Sequence, residues 1–175
     1  MGFTKQHSDT VAAEPAVVYE ILCDYSSYGE WMPLIGVGRL LAIEGDLAIA
    51  EFDITEPKGS VLQVECIHDR NRRVKTRRIN GQIPFTTMEW DIQSAGAGQS
   101  KVTLAVECEV SWRWFKPSYS SVPKAAVAGL KRQAAAYGAD ISVSGPGGET
   151  LLEVMETEDG LVCILNGKKY VMREA

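Results

Sequence analysis

One histidine in this sequence is placed where it could act as an acid or a base beside apolar side chains. His68 ends an apolar segment and shares a two-residue alternation with Val64 and Cys66, so all three are predicted to point to the same side of a strand. Imidazole titrates near neutral pH, and in a pocket His68 could orient or deprotonate a phenol or an enol. An exposed histidine at the end of a strand is the alternative interpretation.

Arg78 is the second candidate for chemistry. It shares its alternation with Val74 and Thr76, and if that side faces inward its guanidinium could bind a carboxylate or a carbonyl oxygen. The alternation is weak in this segment, so a solvent-facing strand is the alternative. The surrounding basic run could contact an anionic surface, but acidic residues on neighbouring strands could pair with it, and we expect a charged outer sheet surface. The run comprises Arg70, Arg72, Arg73, Lys75, Arg77 and Arg78.

The other reactive residue types form no recognisable site. Glu89 and Asp91 lie two residues apart and could share acid and base roles. They fall on the polar side of their strand, as do Glu107 and Glu109, so a solvated surface is expected. The four cysteines form no C-x-x-C pair, which predicts buried free thiols rather than a zinc site or a disulfide framework. The nucleophile-elbow, Walker, dinucleotide and H-E-x-x-H motifs do not occur, and no metal or cofactor is predicted.

Composition narrows the class of function. The chain has 175 residues and a formal net charge of −5, which argues against a nucleic-acid-binding protein because such proteins normally carry a basic face. The N-terminus lacks the basic start and the apolar stretch of a signal peptide. No apolar run approaches the roughly 18 residues of a transmembrane helix. We therefore expect a cytoplasmic protein without a transmembrane segment.

Periodicity predicts the elements that would position the candidate side chains. Residues 3–12 are typical of a strand, and Pro15 opens a helix whose apolar residues recur at helical spacing. From Val37 to Trp114 the period changes to two, with short turns between the strands. Consecutive strands joined by short turns predict an antiparallel meander. The six strands are predicted at 37–43, 47–55, 61–68, 73–79, 85–93 and 101–113.

A long helix is predicted to cover the apolar face of this sheet. The strands have one apolar and one polar face, and the apolar face needs a cover. The helix is predicted over about 122–143, with Pro123 in its first turn and apolar residues in one stripe from Ala126 to Ile141. Gly129 inside this helix indicates either close packing or space that is left for a ligand.

The C-terminal segment is predicted to be a small β extension. Three strand-like runs follow a glycine-rich break, and Asn166-Gly167 is a two-residue hairpin signal. We therefore divide the chain into a domain at 1–145 and a β-hairpin extension at 146–175. The extension is too small to fold alone, so it should pack on the main domain or on a second copy, which could produce a homodimer. The runs lie at 150–156, 161–165 and 169–173.

The order strand, helix pair, six-strand meander and long helix resembles the helix-grip fold of the START-like (SRPBCC) superfamily, which includes Bet v 1, polyketide cyclases and coenzyme Q-binding proteins. Four stretches carry the resemblance, which covers about 3–144. They are 11–19, 24–33, 81–90 and 123–144. The resemblance implies an α+β fold in which a curved antiparallel sheet wraps around the C-terminal helix. It also implies a cavity that binds lipids, quinones, polyketides or similar molecules, but it does not imply one reaction.

A cleft between a curved sheet and one helix is the usual kind of place for a small-molecule site. Aromatic and methionine side chains would provide flat, adaptable contact surface there, although the same side chains could simply fill the core. The predicted ligand-binding residues are Trp31, Met32, Ile35, Phe52, Ile54, Cys66, Phe85, Met88, Trp90, Leu104, Trp112, Leu130, Ala134 and Tyr137.

Three functions are compatible with these patterns. The leading hypothesis is a non-catalytic binder or carrier of a hydrophobic small molecule, because few ionisable groups are predicted to face inward. An enzyme that resembles polyketide cyclases or aromatases is the first alternative, with His68 or Arg78 handling protons or oxyanions. A protein-interaction module is the second, in which the C-terminal hairpins add to a sheet edge of a partner.

Overall fold

The structure is a computed structural model of the full chain. Its backbone is described at 3–56, 58–109, 117–137, 141–144, 150–157, 160–165 and 168–172, and side chains are described at 3–56, 58–109 and 119–137. The chain forms two compact units, one up to Ala134 and one from Ala135 onward. Among the described residues, no helix is long and apolar enough to cross a membrane.

The first unit is built on one seven-stranded antiparallel sheet. The strand order β1-β7-β6-β5-β4-β3-β2 is that of a meander whose last strand pairs with the N-terminal strand. This curved sheet with a C-terminal helix confirms the predicted α+β helix-grip fold. The strands are β1 Phe3–Val11, β2 Ile35–Glu44, β3 Leu47–Ile54, β4 Ser60–Asp69, β5 Arg73–Asn80, β6 Phe85–Gly96 and β7 Gln99–Cys108. The helices are α1 Pro15–Cys23, α2 Tyr28–Trp31, α3 Pro117–Ser120 and α4 Val122–Ala136, with a 3₁₀ turn at Tyr25–Ser27.

Alternation along the strands separates a buried face from a charged one. On β3, Ala48, Ala50, Phe52 and Ile54 are all buried, and the residues between them are more exposed. The opposite face carries cross-strand ion pairs that include half of the basic run, namely Arg73, Lys75 and Arg77. Lys75 pairs with Glu89 at 3.2 Å and Arg77 with Glu65 at 2.6 Å. The expectation of a charged outer surface is therefore confirmed for these residues, and such exposed pairs stabilise the fold only slightly.

Helix α4 buries one stripe of small and apolar side chains. These are Ala126, Val127, Leu130 and Ala134. Gly129 lies on the same buried side, where an added Cβ would overlap the carbonyl oxygen of Trp31. Close packing, and not space for a ligand, therefore explains this glycine.

The predicted extent of this helix was wrong at its C-terminal end. Helix α4 ends at Ala136, and Ile141–Ser144 forms a strand, β8, where the helix was predicted to continue to 143. Residues 141–144 read Ile-Ser-Val-Ser, so their β-branched residues alternate with serine, and β8 pairs with the strand that follows. Gly138, two residues after the helix end, has a low helix propensity. Residues 141–144 therefore form a strand, although Ile141 also fits the apolar stripe of the predicted helix.

The second unit contains a four-stranded antiparallel sheet with the order β11-β10-β9-β8. Besides β8, its strands are β9 Thr150–Thr157, β10 Gly160–Leu165 and β11 Lys168–Met172. The last three match the strand-like runs in the sequence, and β10 and β11 flank the predicted turn at 166–167. The homodimer through this extension stays a prediction.

Candidate functional site

A small cavity lies between the buried face of the sheet and the segment from Tyr25 to Ile35. Its volume is about 30 Å³, which is room for about two water molecules and far less than the several hundred Å³ of a typical ligand pocket. The interior at this place is therefore nearly filled, in contrast to the hollow centre that the resemblance implies. The cavity is lined by Tyr25, Tyr28, Met32, Ile35, Phe52, Leu62, Val64, Thr76, Met88 and Trp90.

Glycines allow the aromatic residues to reach over the sheet. An added Cβ on Gly38 would overlap the carbonyl oxygen of Tyr25, and one on Gly29 would overlap that of Gly36. The segment that contains the 3₁₀ turn and α2 can therefore press against β2. As a result, the ring of Tyr28 stacks on Phe52, with 5.2 Å between the ring centroids. Such contacts stabilise the cavity wall beyond simple burial.

A second, smaller cavity of about 10 Å³ adjoins the first. The two share Leu62, Val64, Thr76 and Met88 as wall residues. Arg78 lines only the second cavity, and its side chain is 19% exposed. Its guanidinium donates to the carbonyl oxygen of Ile83 and, at 2.7 Å, to a carboxylate oxygen of Glu109, whose side chain is 51% exposed.

Arg78 therefore lies beside the cavities, with its charge only partly compensated. An ion pair with an exposed carboxylate is weak and exchangeable. A guanidinium has five N–H donors, and the two contacts to Ile83 and Glu109 leave donors available. Chemically, Arg78 can hold an oxygen of a bound molecule.

His68 is the centre of a hydrogen-bonded cluster at the end of β4. Its Nε2 lies 2.6 Å from the hydroxyl of Tyr25. Its Nδ1 lies 3.2 Å from the hydroxyl of Tyr19 and 3.3 Å from the Sγ of Cys23. Helix α1 supplies Tyr19 and Cys23, and the 3₁₀ turn supplies Tyr25. The cluster therefore attaches the helix and the turn to the sheet. The position agrees with the expectation that His68 shares the inward side of its strand.

Burial keeps this cluster neutral. Desolvation lowers the pKa of His68, with a smaller opposing effect from Asp46. Desolvation also raises the pKa of Cys23 to about 11, that of Tyr19 to about 12 and that of Tyr25 well above its usual range. We assign the short contact as the Tyr25 hydroxyl donating to Nε2, so that Nδ1 carries the ring proton. Cys23 beside a neutral imidazole is then a thiol, which is a weak nucleophile.

The predicted ligand-binding residues have three different positions. Met32, Ile35, Phe52, Met88 and Trp90 line the first cavity, while Phe85 lines the second. Six others are buried without lining either cavity, and Tyr137 is 46% exposed. Trp112 lies outside the described residues. The six buried residues are Trp31, Ile54, Cys66, Leu104, Leu130 and Ala134.

Five residues that line the first cavity were not among the predicted ligand-binding residues. They are Tyr25, Tyr28, Leu62, Val64 and Thr76. Leu62 and Val64 both fit the inward alternation of β4, and Thr76 shares its side of β5 with Arg78, so the sequence did contain a signal for these three residues. The two tyrosines lie in an irregular helical segment, whose direction over the sheet depends on contacts with Gly36 and Gly38.

A larger groove, of about 460 Å³, lies away from both cavities. Its walls come from the turn between β4 and β5, the end of β6 and the start of α1, and they are mostly polar. Such walls do not suit an apolar ligand. Within the described residues, no group of three histidine, cysteine or acidic side chains could hold a metal ion.

The fold and the apolar cavity define a START-like helix-grip protein. The chain belongs to the polyketide cyclase/dehydrase and lipid transport family, whose model matches residues 3–139. A comparison with curated proteins found no match.

Several solved structures have the same fold at low sequence identity. The Zhui aromatase/cyclase from a Streptomyces species has a TM-score of 0.64 at 15% identity, over 78% of this chain and 95% of that one. A START superfamily protein from Mycobacterium smegmatis has a TM-score of 0.64 at 17% identity, over 77% and 98%. A major latex-like protein from Panax ginseng has a TM-score of 0.59 at 12% identity, over 76% and 97%. These similarities establish the fold, and they leave the activity open.

Proposed function

We propose that this protein binds a hydrophobic small molecule, such as a lipid, a quinone or a polyketide-like compound, on the buried face of its sheet. The observation that carries the proposal is the chemistry of the first cavity, whose wall contains no charged side chain. Its two tyrosine hydroxyls are engaged elsewhere, that of Tyr25 with His68 and that of Tyr28 with the carbonyl oxygen of Leu22. Apart from the hydroxyl groups of Tyr25 and Thr76, the wall of the cavity is apolar and aromatic, which suits an apolar ligand.

A ligand of ordinary size requires this cavity to expand. Met32 and Met88 are the wall residues best suited to move, because methionine is unbranched and changes rotamer easily. Met88 is also half-buried and borders both cavities, so a change of its rotamer would enlarge the space between them. The bound state would then join the two cavities into one pocket. The burial of the ligand would offset the cost of this rearrangement.

The binding proposal is tested by thermal-shift measurements and native mass spectrometry across lipids, quinones and polyphenols. We expect at least one class to raise the melting temperature, since a ligand that binds only the folded state stabilises it. Met88→Trp should fill the space and weaken that binding by roughly tenfold or more, whereas the volume-conserving Met88→Leu should keep it within about threefold. A screen with no stabilising ligand, or equal binding by both variants, would count against this site.

Arg78 is proposed to hold an oxygen of that ligand. It borders the second cavity, and among the described residues its partners are one exposed carboxylate and one carbonyl oxygen. A ligand carboxylate or enolate could replace Glu109 and bind the guanidinium in two places.

Arg78→Gln should therefore weaken the binding of an acidic ligand by roughly 10- to 100-fold, because a hydrogen bond to a charged group is lost. The same variant should bind the corresponding alcohol, in which a hydroxyl replaces the carboxylate, with nearly unchanged affinity. Isothermal titration of the acid and of the alcohol into wild type and into Arg78→Gln measures both effects. An equal loss for both ligands would indicate that the variant damages the pocket instead.

Catalysis of a proton transfer is the second candidate function, and one contact favours it. Tyr25 lines the first cavity and lies 2.6 Å from Nε2 of His68, so the pair could deliver or accept a proton at the cavity wall. A cyclase or dehydrase activity would then be lost in Tyr25→Phe and in His68→Gln, while ligand binding persists. Turnover that is unchanged in both variants would exclude this role.

A further inference from the structure

The two edges of the seven-stranded sheet differ in chemistry. β1, at one edge, presents Lys5, Gln6, Ser8 and Asp9, and such polar and charged residues are the usual protection against unwanted strand pairing. β2, at the other edge, reads Ile-Gly-Val-Gly-Arg-Leu-Leu-Ala-Ile-Glu and contains neither lysine nor proline. No other strand among the described residues pairs with its outer side.

The second half of β2, from Arg39 to Glu44, is accessible. The first half packs against the segment that contains the 3₁₀ turn and α2, through the close approach at Gly36 and Gly38. Beyond it every residue is exposed, and the exposed fractions are 51% for Leu40, 50% for Leu41 and 65% for Ile43. An apolar edge strand of this kind is a template for pairing with another strand.

A β-bulge gives this half-strand a self-complementary pattern. Residues three apart lie on opposite faces of a regular strand. Here the pairing with β3 shifts by one residue between Leu40 and Ala42. As a result Leu40 and Ile43 lie opposite Ala50 and Ala48, which are both buried and therefore share a face.

The same shift places Arg39 and Glu44 together on the opposite, charged face, where their partners on β3 are Glu51 and Leu47. We propose that the outer edge of β2 pairs antiparallel with the β2 of a second copy of this chain about a two-fold axis between Leu41 and Ala42. In that register Leu40 lies opposite Ile43, and Arg39 lies opposite Glu44. Each pair occurs twice, because a two-fold interface uses the same surface on both copies.

Charge complementarity selects a second copy as the partner. Arg39 lies on the charged face, where it binds two carboxylates of β3, Asp53 at 2.7 Å and Glu51 at 3.5 Å. Glu44 forms no ion pair with any residue that the structure describes. The pairing would give each Glu44 a cationic partner while covering the exposed leucine and isoleucine side chains. Opposite charges placed directly across two strands stabilise the pairing, whereas like charges destabilise it.

The test is the mass of the full-length protein by light scattering after size exclusion, over concentrations up to about 100 µM, where weak self-association is detected. We expect a dimer of twice the 19.1 kDa chain. Ile43→Lys should weaken the dimer by roughly 100-fold, because two lysines would then lie at the apolar contact. Glu44→Arg should also weaken it, because Arg39 would then face an arginine.

Gln6→Lys on β1 is the matched control, since it adds the same charge to the other sheet edge, and it should leave the dimer intact. Ile43 is exposed in the single chain, so Ile43→Lys should keep its melting temperature once it is monomeric. A wild-type protein that is monomeric throughout would overturn the proposal. So would a dimer that Ile43→Lys and Glu44→Arg leave unchanged, which would point instead to an interface such as the C-terminal extension.

Discussion

Replacing Gly129 with alanine is expected to destabilise the protein by about 2–3 kcal/mol, although alanine normally stabilises a helix interior by about 1 kcal/mol relative to glycine. The added Cβ would overlap the carbonyl oxygen of Trp31, which is backbone and cannot rotate away. Either α4 or the end of α2 must therefore shift. Both are buried at this point, so the shift disturbs a packed interior.

Urea denaturation monitored by circular dichroism measures this effect. Ala128→Gly, at the neighbouring exposed position of α4, is the control and should cost about 1 kcal/mol from helix propensity alone. Alanine would then destabilise the protein at position 129 and glycine would destabilise it at position 128. Helix propensity alone cannot produce this result, because it favours alanine at both positions. A Gly129→Ala protein as stable as the wild type would show that α4 does not contact Trp31 as closely as the structure indicates.

The same substitution should weaken ligand binding. The ring of Trp31 lies against Tyr28 and Trp90, at centroid distances of 4.8 and 6.1 Å, and both of these residues line the first cavity. A displaced Trp31 would therefore change the cavity wall. The contact between α4 and α2 thus links the stability of the fold to the shape of the proposed site.

Local patterns in the sequence were sufficient to predict the sheet. The strand bounds agree to within three residues, apart from the predicted end of the last strand at 113, which lies outside the described residues. Turn residues such as Glu44-Gly-Asp46 and Asp69-Arg-Asn71 make this possible, because they interrupt a clear alternation. The inward positions of Val64, Cys66 and His68 follow from that alternation alone. These features depend on neighbouring residues and on pairing with the next strand, which a sequence displays directly.

The features that were not predicted depend on contacts between distant residues. The end of α4 is decided by the pairing of β8 with β9, since Tyr137 and Ile141 also fit the helical stripe. The volume of the cavity depends on how Tyr28 stacks over Phe52, which lies 24 positions further along the chain. The partners of His68 come from a helix and a turn more than 40 positions earlier. The periodicity of apolar residues along the sequence does not indicate such long-range contacts.

Removing the titration of His68 is expected to change how stability depends on pH. Burial lowers the pKa of His68 below its usual value of 6.5. Between the lowered value and 6.5 the unfolded chain therefore binds more protons than the folded one, so the free energy of unfolding rises with pH in that interval. The slope from one such group reaches at most about 1.4 kcal/mol per pH unit. Above pH 6.5 the contribution is complete, and it is lost as the pH falls toward the folded-state pKa.

His68→Gln is the informative variant, because an amide can still accept from Tyr25 but does not titrate. The stability difference between wild type and His68→Gln should be greatest near pH 7.5 and should shrink as the pH falls below 6.5. Urea denaturation at intervals from about pH 5 to 8 measures it. His7→Gln is the control, since it retains His68 and should retain the pH dependence that His68 causes. Parallel stability curves for wild type and His68→Gln would mean that solvent reaches the imidazole and that its cluster with Tyr25, Tyr19 and Cys23 does not hold it neutral.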